Sequence, residues 1–159
     1  MSSRVSIAGH PLHPMLVTLP IGLWVFSLVS DLVFLSTGDG RWETTAYFTL
    51  GGGIVGALLA AVPGLLDFLG LHEARERRTG ATHLVLNLSI VAIQAINFWL
   101  RSRAGLGGEN LPMLISIVAV AALVVSGWLG GQLVHVFGVT QPHHGEPAGL
   151  EREGLHPRT

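Results

Sequence analysis

The chain has 159 residues, a formal net charge of -1 and no cysteine; 49% of its residues are hydrophobic and only 12% are charged. Soluble domains carry about 25% charged residues, so this composition, with a mean hydropathy of +0.55, is that of a single membrane domain. The charge balance gives no nucleic-acid footprint, and the lack of cysteine excludes disulfides, thiolate metal sites and Cys-ligated iron–sulfur clusters.

The first informative stretch is Gly9-His10-Pro11-Leu12-His13-Pro14, directly in front of a long apolar run. About 20 apolar residues cross a bilayer core of roughly 30 Å as a helix. Four stretches reach or approach that length, which predicts spans over about 14–36, 44–71, 81–101 and 111–135. The runs are continuous rather than alternating, which argues for helices and against a barrel. The first run is longer than a signal-peptide core, contains Asp31 and is followed by no good cleavage site, so it is read as a retained helix. Short connections make successive helices antiparallel. The expected fold is all-α: a polytopic membrane protein built as an antiparallel four-helix transmembrane bundle over 1–139. Residues 140–159, rich in Pro, Gly and charge, read as a disordered tail; His143 and His144 there read as solvated.

Helix 2 carries a dense small-residue face, with Gly52/Gly56 and Ala60/Gly64 at small-xxx-small spacing, and helix 4 carries Gly127, Gly130 and Gly131. Such faces let backbones approach in lipid; the alternative is a slot for a flat cofactor. On helix 3, His83, Asn87, Gln94 and Asn97 share one face. That face should point inward, with Gln94 and Asn97 making interhelical hydrogen bonds. Pro20 and Pro63 each lie roughly 10–12 Å from the same membrane face and free the carbonyls of Leu16 and Leu59. Two such kinks would widen that half of the bundle.

Chain direction sorts the polar groups by face. We call side A the face that holds the N-terminus and side B the opposite one. His10, His13, Asp67, His72, His83 and His135 all fall at side A, whereas Asp31 falls at side B with no assigned partner. Side A also holds Arg4, Arg75, Arg77 and Arg78, with Arg152 and Arg158 in the tail, against Arg41, Arg101 and Arg103 at side B. The positive-inside rule then places both termini in the cytoplasm and the protein in the inner membrane.

Several stretches also resemble a known family. In order, "GHPLHPMLVTLPIGLW", "SLVSDL", "GALLAAVPGLLDF", "HLVLN" and "GWLGGQLV" are similar to bacterial membrane proteins of Domain-of-Unknown-Function family 2231. The resemblance runs from about Gly9 to Val139. The matching residues are His10, His13, Asp31, Asp67, His83, Asn87 and Gly131. Family members tend to carry Tyr and, two residues later, His after the last element; here those positions are His135 and Phe137. Some members resemble fusions to Rieske iron–sulfur domains, which implies a redox partner of Rieske type.

Three readings follow. In the first, the chain binds b-type haem, since imidazole is a common axial ligand. Helices 1 and 3 are diagonal in a cyclic bundle, so His13 and His83 would face each other. His72 and His135 form the other diagonal pair, and Arg4, Arg75, Arg77 or Arg78 would meet propionates. In the second, His13, Asp67 and His83 hold zinc or non-haem iron; no HExxH-type motif accompanies them, and enzyme status stays open. In the third, the cluster clamps a non-catalytic accessory or scaffold protein. His10, Asn87, Asp31 and Gly131 are supporting residues in these readings, and the small-residue faces permit a homodimer.

Overall fold

Each apolar run folds as a helix, because a backbone group left unpaired in lipid costs several kcal/mol. The computed structural model describes residues 5–104 and 110–138. A two-stranded hairpin, β1 (Ser6–Ile7) and β2 (His10–Pro11), leads into α1 (Leu12–Leu16) and α2 (Thr18–Thr37). Then come α3 (Gly40–Phe68), α4 (Ala74–Ala104) and α5 (Asn110–His135). Among the described residues, four helical stretches are long and apolar enough to span a membrane: Leu12–Thr37, Gly40–Phe68, Ala74–Arg103 and Asn110–His135. Arg4 and the tail with His143 and His144 lie outside the described residues.

The boundaries differ from the expected ones in instructive ways. The hairpin was not foreseen: it turns at Ala8 (φ 49°) and Gly9 (φ 79°), the paired positive φ that a two-residue turn requires. The first span breaks at Val17, between α1 and α2. Pro20 explains the position, since it has no N–H to offer Leu16. Pro63, by contrast, sits inside an uninterrupted α3. That helix ends at Phe68, and Leu71 folds back to only 3% exposure. Here Gly80 gives it room, because a Cβ at that position would lie 2.7 Å from the Leu71 side chain. Finally, α4 begins at Ala74 rather than near residue 81. Its polar first turns are made of Ala, Arg and Glu, which are strong helix formers; hydropathy marks where lipid ends, not where a helix ends.

The helices close a ring. The packed pairs are α2 with α3, α3 with α4, α4 with α5 and α5 with α2, while α1 rests on α3. Therefore α2 and α4 are diagonal, as are α3 and α5. Across the middle runs an apolar layer of one residue per helix: Trp24, Leu50, Ile90 and Ala119, all nearly or fully buried.

The glycines of α3 are packing seats. A Cβ at Gly53 would collide with Trp24, and one at Gly56 would lie 3.1 Å from Leu19 and 3.3 Å from Pro20. On side B of the apolar layer, Asp31 on α2 meets Arg101 on α4 through two charge-assisted bonds, Nη1 to Oδ1 at 2.7 Å and Nη2 to Oδ2 at 2.6 Å. Asn97 donates to Ser116 Oγ on α5 at 2.9 Å. Gln94 accepts from Asn97 on its own helix, and its Nε2 has no partner among the described residues. The interhelical bond expected of Gln94 is thus not formed.

Candidate functional site

On the side A half of the apolar layer, the four spans enclose an apolar cavity of about 370 Å³. Polar groups enter it at few points, chiefly His13, Asp67, His83, Asn87, Ser126 and His135.

His13 starts the first span on α1. Its ring lies against α3, where Gly64 leaves a gap: a Cβ there would stand 2.6 Å from His13 Nδ1. Nδ1 is 2.9 Å from the carbonyl oxygen of Ala60. A carbonyl only accepts, so Nδ1 carries a proton, and in the neutral imidazole Nε2 then carries the lone pair. Ala60 lies one residue beyond Leu59, whose carbonyl Pro63 cannot serve, so the acceptor used by His13 is the neighbour of the one the proline frees.

His83, on α4, repeats the arrangement against α5. Its Nδ1 is 3.0 Å from the Ser126 carbonyl and 3.2 Å from the Ser126 hydroxyl. Gly130 makes room, with a notional Cβ 3.2 Å from the ring. Asn87 Nδ2 fixes the hydroxyl with a 2.6 Å bond and donates to the His83 carbonyl at 2.7 Å. Again Nδ1–H is donated and Nε2 bears the lone pair. Both rings are half-buried, and their centroids stand 6.4 Å apart with perpendicular planes.

The other expected site residues divide. Asp67 and His135 line the cavity, Asp67 half-buried and His135 at its exposed rim. His72 is exposed and outside the lining, so it does not face His135 across the cavity, and the second diagonal pair is not formed. His10 is exposed and bonds only to the Ala8 carbonyl at 3.0 Å, within its own hairpin turn. Asp31 belongs to the ion pair with Arg101 at side B and does not support the histidines. Gly131 lines the cavity, and a Cβ there would meet nothing within 4 Å; the same holds for Gly127.

The small-residue faces therefore differ in kind: that of α3 is filled by neighbours, while two of the three α5 glycines border empty space. Among the described residues, no group of three or more His, Cys, Asp or Glu side chains comes together to hold a metal ion. The expected trio of His13, Asp67 and His83 is therefore not found as such a group, and the contact between rings joins His13 and His83.

At the side A mouth, Arg77 donates to the Leu71 carbonyl at 3.2 Å and lies 5.9 Å over the Phe68 ring. Arg75 lies 5.7 Å over the Phe137 ring. Sequence reasoning missed Ser126, a small hydroxyl inside an apolar run, and the Ala60 carbonyl, which no side-chain pattern announces. It also read Arg101 as a terminal charge, although the residue is 7% exposed and paired.

A family model for predicted membrane proteins (DUF2231) matches residues 9–142. The chain belongs to this family. No curated protein and no solved structure matches it. The match covers all four spans and the His13–His83 pair, so this DUF2231 member is an integral membrane protein whose family description assigns no activity.

Proposed function

We propose that this protein holds a b-type haem in the side A half of the bundle, with His13 and His83 as its axial ligands. One observation carries the reading. Two imidazoles on diagonal spans face a shared apolar cavity, each with Nδ1–H tied to a helix carbonyl and Nε2 left with its lone pair. Such an outer hydrogen bond orients a ligating histidine and raises its basicity.

A group held by both imidazoles would have to fit between rings whose centroids stand 6.4 Å apart. Ligand count favours haem over zinc or non-haem iron. A structural zinc ion takes four protein ligands and a catalytic one three, whereas a porphyrin brings four nitrogens and asks the protein for one or two. When bound, haem ligated on both faces supplies one-electron chemistry. The chain's own residues orient the rings, exclude water and, through Arg75 and Arg77 at the mouth, offer cations to propionates.

We also propose that side A is cytoplasmic. Arg75, Arg77 and Arg78 are exposed there, against Arg103 on side B, where Arg101 is paired with Asp31 and Arg41 with Asp39.

Protein purified in detergent from haem-supplied cells should show a Soret band with equimolar iron. His13→Ala and His83→Ala should each abolish or strongly shift the band, and His72→Ala should leave it intact. Folded but colourless protein would overturn the reading, as would stoichiometric zinc without a Soret band.

A further inference from the structure

We propose that the histidine cavity opens sideways into the bilayer, between the first and fourth spans, and that in the haem-free protein a fatty acyl chain from the lipid enters it. This stands on the shape of the cavity and does not require the haem reading. On the first span, Leu19, Pro20 and Trp24 turn toward the glycines of α3. Successive helical residues are offset by about 100°, so Pro14, Val17 and Ile21 lie further round, on the side toward α5. All three line the cavity.

On α5, Ser126 and Gly130 turn toward His83 on α4. Gly127 and Gly131, one residue on from each, also line the cavity and border open space. The two edges thus face each other across a gap that no side chain fills. The gap reaches the outer surface of the bundle, because Ile21 is 40% exposed and Gly127 is exposed. A surface at that point faces acyl chains: Ile21 lies nine residues and Gly127 eight residues from the side A end of their helical runs, roughly 12–14 Å along the axis. Toward side A water, part of the cavity is covered by Leu71, which is 3% exposed and held by Arg77 and Gly80. An apolar molecule therefore meets less cover from lipid, at Ile21 and Gly127, than from water, at Leu71.

The chain contains its own reporter, since Trp24 lines the cavity. With Trp42, Trp99 and Trp128 replaced by Phe, cofactor-free full-length protein in phosphatidylcholine vesicles would fluoresce from Trp24 alone. A long-chain fatty acid bearing a nitroxide on its chain should quench this signal saturably, whereas aqueous iodide should not. Gly127→Phe puts a ring into the gap and should reduce the nitroxide quenching several-fold; Gly131→Phe is the second variant, with helical circular dichroism confirming the fold of each. Quenching by iodide equal to that by the nitroxide, no saturable nitroxide quenching, or quenching untouched in both folded variants would overturn the proposal. The readout needs no haem, so a colourless protein that passes this test defeats only the haem reading.

Discussion

At the residue scale, the site depends on absent atoms as much as on present ones. Gly64 is the sharpest case, because a Cβ there overlaps the His13 ring 2.6 Å from Nδ1. Gly64→Ala should push the ring off the Ala60 carbonyl and leave a half-buried donor without its acceptor, a loss of about 1–3 kcal/mol. Thermal unfolding in detergent measures it. Gly131→Ala should be neutral or stabilising, since open space receives the methyl group and Ala is a better helix former by about 1 kcal/mol. Equal effects at the two positions would show that Gly64 is not a seat for the ring. His13 and His83 were legible in the sequence because titratable rings inside apolar runs stand out. Their anchors were not: a backbone carbonyl has no letter of its own, and Ser126 looks like any small residue of a membrane helix.

At the element scale, helix starts follow local chemistry. Asp39 caps α3 by accepting from the Arg41 N–H at 3.0 Å, and its carboxylate also takes the Arg41 guanidinium at 2.6 Å. The guanidinium bond, then the backbone bond, hold the Asp39 carboxyl below the usual carboxylate range. The group binds protons more weakly folded than unfolded, so its contribution is complete above the ordinary carboxylate pKa. That contribution is lost as pH falls through the lowered folded value. Asp39→Ala should therefore lower the unfolding temperature slightly at neutral pH, with the gap to the parent closing in strong acid. The pair lies at the surface, with Arg41 exposed and Asp39 half-buried, so added salt should narrow the gap as well. A difference that persists unchanged in acid would sink this account. The Gly-Asp turn was readable in advance, whereas the true start of α4 was not. Apolar periodicity reports contact with lipid and core, and residues 74–80 have little of either.

At the scale of the whole molecule, the up-and-down bundle followed from four apolar runs and short connections. The tie across its diagonal did not, because Asp31 and Arg101 are 70 residues apart in sequence and Arg101 sits where a span was expected to end. Both side chains are 7% exposed. Asp31→Ala should strand the guanidinium and cost about 3–5 kcal/mol, whereas joint replacement by Leu at 31 and Met at 101 should recover most of that loss. A double-mutant cycle on thermal stability checks this, and independent, additive losses would show that the pair does not hold the diagonal.

The layer of Trp24, Leu50, Ile90 and Ala119 has an electrical consequence. On the first and third spans it separates the ion pair of Asp31 and Arg101 from His13 and His83. The Trp24 N–H, its one side-chain polar group, is already spent on the Leu50 carbonyl at 3.2 Å. A charge crossing here finds no group to step onto. A proton driven by the membrane potential, worth about 2.3 kcal/mol per elementary charge at 100 mV, would meet this layer with no side chain to carry it. On the proposed reading, a proton taken up at His13 or His83 would return to the side A face, because this layer offers it no relay toward the ion pair.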